Sequence, residues 1–149
     1  MNLFVAVALS ILEIITAFTY TGGITFYYGE FEGRPLYCGG TYDEETGPWL
    51  AVTVEWYESG LVECGDRFLI LFSDGTQMVA RARDAGHLSS YTVWDTGLPI
   101  IADLPRYWRE GRETATGTIV NLTAISRALA AQREGGYEPV HGFVESGAE

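Results

Sequence analysis

The chain has 149 residues, a net charge of −11 and a hydrophobic share of 47%, which suits one domain. The charge argues against nucleic acid and anionic lipid headgroups as partners, because both are held by basic side chains meeting phosphates. Its 18 Gly beside 9 Tyr, 7 Phe and 4 Trp suit a turn-rich sheet better than a helix bundle.

The run Leu3 to Tyr20 is apolar and broken by Ser10, Glu13 and Thr16. Its length lies between that of a secretory signal core and a short spanning helix. No basic residue precedes it, and Glu13 in lipid would cost about 2.5–3.5 kcal/mol. Processing would fall after Ala17 or the Thr-rich stretch, although no clean Ala-x-Ala is present. The expectation is a signal peptide or membrane anchor over 1–20, a β domain over 21–149, and an extracytoplasmic chain; the alternative for the segment is a buried helix of a soluble chain. An anchor would bring membrane protein partners through this helix, with Glu13 paired by another subunit or protonated.

Ile24 to Tyr28 reads as a first strand, and Phe31 to Gly47 as a turn-rich stretch. Cys38-Gly39-Gly40 and Cys64-Gly65-Asp66 place both cysteines at turns. An exported chain would bridge them, closing a loop of about 25 residues with a contribution of roughly 3 kcal/mol. In a reducing compartment they would be two free thiols. Two cysteines make no structural zinc site, and no metal or cofactor is expected.

Trp49 to Tyr57 alternates as a strand and turns at Glu58-Ser59-Gly60. Arg67 to Phe72 and Gln77 to Arg83 flank Asp74-Gly75, a hairpin signal. The second of these strands ends at an Asp84-Ala85-Gly86 corner. Short strands follow at Tyr91 to Asp95 and Ile100 to Asp103, then a charged loop over Arg106 to Thr116 and a strand at Thr118 to Val120. Leu122 to Arg133 reads as a helix with Leu122, Ile125 and Leu129 on one face, stopped by Gly135-Gly136. Val140 to Val144 closes the series. Asn121-Leu122-Thr123 matches a glycosylation acceptor.

This order of strand, hairpin, strand, Asp-x-Gly, loop and strand resembles the double-psi β-barrel of the expansin, barwin and rare lipoprotein A-like families. Tyr27-Tyr28-Gly29 matches an early family pattern. Gly39-Gly40-Thr41-Tyr42-Asp43 is similar to the next, with Gly40 where the family has Glu. Ala51-Val52 stands where a family His follows Ala. Asp84-Ala85-Gly86 keeps the corner, with His87 in place of Pro. Asp103-Leu104-Pro105 and Asn121-Leu122-Thr123 are partial matches to a closing Asp-Leu-Ser.

The resemblance implies a mainly β fold: a six-stranded double-psi β-barrel with one short helix, preceded here by the hydrophobic N-terminal helix. It also implies a groove for a polysaccharide or cell-wall glycan with the Asp-x-Gly acid on its floor. Asp84 is then the candidate catalytic acid and Asp103 a second. Asp84 alone could serve as acid and then base in a lytic transglycosylase-like reaction, whereas hydrolysis takes two carboxylates. Tyr42, Trp49, Trp94 and Trp108, with His87, are candidate glycan contacts. The alternative for the aromatics is the barrel core or rim.

Three functions are compatible with these residues. One is a polysaccharide-binding extracytoplasmic barrel, lytic or loosening through Asp84. Another is a non-catalytic, membrane-anchored accessory or interaction subunit. The third is a small secreted inhibitor.

Overall fold

The computed structural model describes residues 3–27, 32–43, 47–86, 94–97 and 114–134. A helix α1 (Leu3–Ala17) leads into strand β1 (Thr19–Tyr27). Then come β2 (Trp49–Thr53), a short helix α2 (Val54–Glu58), β3 (Arg67–Phe72), β4 (Gln77–Gly86), β5 (Trp94–Gly97), β6 (Thr114–Asn121) and helix α3 (Leu122–Arg133). The strands close on themselves in the order β1-β5-β2-β4-β3-β6. The pairs β1–β5 and β2–β4 are parallel and the others antiparallel.

Alternation decides which face of each strand is inside. On β3, Phe68, Ile70 and Phe72 are buried, while Arg67 and Leu71 are exposed. On β4 the inner residues are Ala80 and Ala82, small enough to let Leu50, Val52 and Ile24 fill the centre. Ala115 and Ile119 of β6 complete the lining. A Cβ on Gly117 would lie 2.5 Å from the Leu71 carbonyl oxygen, so only glycine lets β6 approach β3 there.

Local chemistry sets the turns where sequence placed them. The Asp74 carboxylate accepts from the Thr76 amide at 2.9 Å and the Thr76 hydroxyl at 2.6 Å. Gly75 takes φ of +88°, which its missing Cβ permits. Helix α3 has the expected bounds. The Asn121 side chain caps it, accepting from the Ala124 amide at 2.9 Å. The same side chain is fully buried and donates to Asp66 at 2.8 Å, so this acceptor motif is a cap and not a glycan site.

Several bounds differ from expectation. Strand β1 begins at Thr19, ahead of Ile24, because Thr19 to Thr25 pair with β6. A boundary after residue 20 therefore falls inside β1. Strand β2 stops at Thr53, whose hydroxyl accepts from the Glu55 amide and starts α2, so Trp56 and Tyr57 are helical. Strand β6 takes in Thr114 to Thr116, expected as loop, since β1 offers it a full partner edge. Strand β5 covers Trp94–Gly97, and the expected start at Tyr91 lies outside the described residues. So do the expected strands at Ile100 to Asp103 and Val140 to Val144.

Helix α1 docks by its C-terminal end. Ile14 and Phe18 are buried against Ala124 and Ala128 of α3. Val7, Leu9, Ile11, Leu12 and Ile15 are exposed. Among the described residues no helix is long and apolar enough to cross a membrane.

An ion pair between a buried carboxylate and a part-exposed arginine ties α3 to the barrel. Asp66, only 2% exposed, accepts from both terminal nitrogens of Arg127 at 2.7 and 3.0 Å. Its other partners are the Asn121 side chain at 2.8 Å and the Glu63 amide at 3.1 Å. The bidentate bond to Asp66 raises the Arg127 pKa.

Candidate functional site

The site is built where β4 meets a small lobe, residues 32–43, lying on the barrel's outer face. The lobe folds back on itself through Gly33 N–H to Tyr42 O at 2.9 Å, Tyr42 N–H to Arg34 O at 2.7 Å, and a Pro35–Thr41 bridge. Gly39 and Gly40 make its tip with φ of +85° and +79°. A side chain at Gly40 would be strained there and would crowd the Arg83 guanidinium at 3.3 Å. The Cys38–Cys64 disulfide pins the tip to the barrel, as expected. The Cys38 amide also donates to the Arg83 carbonyl at 3.0 Å.

Asp84 points at this lobe because of a bulge. Leu50 pairs with Ala82, but Ala51 pairs with Asp84, so Arg83 is an extra residue on β4. One extra residue reverses the facing of everything after it. Ala82 faces the core, and Asp84 then faces outward with Ala51. The expected corner at Asp84-Ala85-Gly86 is thus a bulge inside a strand that continues to Gly86.

Around Asp84 stand two tyrosines. The Tyr37 amide donates to the Asp84 carboxylate at 3.0 Å. The Tyr57 hydroxyl donates to the Asp84 carbonyl at 3.2 Å. The two rings lie 4.8 Å apart, tilted by 30°, within the contact range of aromatic pairs. Tyr37 is 49% exposed, so one face of the stack meets solvent. Burial, helped by the Asp84 carboxylate, raises the Tyr57 pKa, and its phenol stays a hydrogen-bond donor. Arg83 stacks on the Trp49 ring at 4.9 Å and donates to Gly39 O at 2.9 Å, which fixes the bulge to the lobe.

Two expected glycan contacts are core residues. Tyr42 is 1% and Trp49 8% exposed, packed with Leu36 and Ala51 under the lobe. Neither offers a free face for a sugar. Trp94 lies on β5, but its side chain is outside the described residues, as are His87, Asp103 and Trp108. Sequence reasoning missed Tyr37. Its signal was the neighbouring Cys38, since a disulfide holds the adjacent side chain in place. Tyr57 was expected on a strand and reaches Asp84 from α2. Among the described residues no group of three or more His, Cys, Asp or Glu is placed to hold a metal.

The fold finds its counterpart among solved structures. A mutant Clavibacter michiganensis expansin in complex with cellohexaose superposes with a TM-score of 0.52 at 15% identity, covering 70% of this chain and 50% of that one. The fold is that of expansin. The apo form of that expansin gives a TM-score of 0.51 at 16% identity, with the same coverage of 70% and 50%. A Streptomyces papain inhibitor gives a TM-score of 0.51 at 20% identity, covering 68% of this chain and 92% of the inhibitor. The chain therefore spans about half the length of the expansin it matches. No protein-family model matches the sequence, and no curated protein is similar to it.

Proposed function

We propose that this mainly β, expansin-like domain is a six-stranded double-psi barrel that works outside the cytoplasm and binds a polysaccharide on the face carrying Tyr37 and Asp84. The carrying observation is the exposed Tyr37 ring stacked on Tyr57 beside the Asp84 carboxylate. A sugar ring lays its C–H face on an aromatic ring while its hydroxyls reach the acid and the phenol. Expansin in complex with cellohexaose supports the ligand class. The disulfide supports an oxidising compartment. In this reading Asp84 orients the glycan, and its use as a lytic acid is a further step that the same variant tests.

Cellohexaose binding by calorimetry, with pull-down on insoluble wall polymers, is the experiment. Tyr37→Ala weakens binding about tenfold, the loss of one aromatic contact of ~1.4 kcal/mol. Asp84→Asn lowers affinity with little change in melting temperature, because an amide oxygen still accepts from the Tyr37 amide. Release of soluble fragments by the wild type, abolished in Asp84→Asn, would make the acid catalytic. Wild-type protein that binds no wall polymer, or Tyr37→Ala that binds as well as wild type, would sink the reading.

A second reading, a protease inhibitor, is favoured by one observation: the chain covers 92% of the papain inhibitor and half of expansin. The disulfide-pinned lobe is the rigid edge such a function needs. Inhibition of papain by the intact chain, lost on reduction, would favour it over glycan binding.

A further inference from the structure

Beside the tyrosine stack, the same outer face carries two arginines with no counter-ion among the described residues. Arg67 and Arg81 are direct cross-strand partners on β3 and β4, and Arg81 is in turn the register partner of Trp49. Both arginines are exposed. Their neighbours in register, Leu69 and Val79, are uncharged. Neither guanidinium has an ion pair or hydrogen-bonding partner among the described residues. Like charges directly opposite on a sheet repel. The chain has 20 acidic residues against 9 basic ones, yet none of those among the described residues pairs with either arginine.

The bulge puts the pair in line with the site. On β4, Val79 and Arg81 point outward, and the bulge keeps Arg83 and Asp84 on that same side. Arg81 therefore lies about 10 Å along the strand from Asp84, within the span of a short oligosaccharide seated on Tyr37. Two parallel guanidinium forks match one carboxylate. A densely charged polyanion does not fit, because the molecule's net charge of −11 opposes it.

Resting on the polysaccharide reading above, we infer that Arg67 and Arg81 form a subsite for a single carboxylate carried by an otherwise neutral glycan. The carboxylate is that of a uronic acid side branch or a lactyl-substituted amino sugar, which present the same group.

Calorimetry with defined probes tests it: xylopentaose, the same chain bearing one glucuronic acid, the methyl ester of that acid, a disaccharide containing N-acetylmuramic acid, and polygalacturonate. The acid form binds wild type about tenfold more tightly than its ester, the yield of one charge-assisted bidentate contact. The paired change Arg67→Gln, Arg81→Gln removes that preference and leaves xylopentaose affinity unchanged. These substitutions keep the backbone bonds, including Arg67 N–H to the Thr123 hydroxyl at 2.9 Å. An arginine-dependent gain with the muramic disaccharide in place of the uronate also upholds the subsite and assigns the carboxylate to an amino sugar. Equal binding of acid and ester, a preference surviving in the double variant, or tightest binding to polygalacturonate overturns the inference. Xylopentaose bound without any preference for the acids overturns the subsite alone. Failure of every probe to bind overturns the polysaccharide reading as well.

Discussion

Asp66 joins three parts of the molecule that are far apart in sequence: its own turn, the end of β6 through Asn121, and α3 through Arg127. All its bonds are charge-assisted and the carboxylate is buried, so its loss leaves the buried Asn121 amide without its acceptor, while Arg127 keeps solvent and Glu63. Asp66→Ala lowers unfolding free energy by about 1.5–3 kcal/mol, seen as a lower urea midpoint with an unchanged slope. Tyr57 makes a second residue-scale prediction. Its pKa is raised in the folded state, so the folded protein holds that proton more tightly than the unfolded chain. Stability from this group is complete below the ordinary tyrosine value of about 10 and declines as pH rises beyond it. Melting temperature followed from pH 8 to 11 falls more gently in Tyr57→Phe than in wild type, apart from the offset of the lost bond to Asp84. Sequence identified Asp84 by its Asp-x-Gly neighbours but gave it the wrong geometry. The bulge that aims it is a property of the β2–β4 pairing, which no local pattern encodes. Tyr42 and Trp49 were misread for a related reason: aromatics in a turn-rich stretch look exposed until the lobe lays them on Ala51.

Among the elements, those read correctly are those whose bounds are local. The β3–β4 hairpin carries its own turn chemistry in Asp74, Gly75 and Thr76. Helix α3 carries its own cap in Asn121. Strands β1 and β6 were read too short because Gly22, Gly23 and Gly117 interrupt any strand pattern, and only mutual pairing extends them. The β2 strand was read too long, since alternation in Trp49 to Tyr57 does not register the Thr53 cap. The lobe over 32–43 has no regular structure of its own and rests on the disulfide and on Leu36 and Tyr42. Cys38→Ser with Cys64→Ser costs about 3–4 kcal/mol by loop entropy for a separation of 26 residues. The same change, or reduction of the wild type, frees Tyr37 from its place over Tyr57. Denaturation with and without reductant, paired with cellohexaose binding, reads both effects. Binding that survives reduction at full strength would place the ligand away from the lobe.

At the scale of the whole molecule, a net charge of −11 works against compactness, because like charges are brought closer on folding. Screening relieves this within a Debye length of about 8 Å at physiological ionic strength. The urea midpoint therefore rises as sodium chloride is raised from low to physiological concentration. A midpoint that falls with salt would mean that attractive pairs such as Arg127–Asp66 outweigh the repulsion. The seam that closes the barrel also dictates when the molecule can form. It pairs Thr19 with Val120 and Thr25 with Thr114. A ribosome adds about 5–20 residues per second, so the first strand waits on the order of ten seconds for its partner. During that interval β1 is an open edge, the template on which chains stick to one another. Gly22 and Gly23 lie in its middle, and glycine weakens an isolated strand. The pair lowers the tendency of β1 to form a strand alone in the interval before β6 emerges.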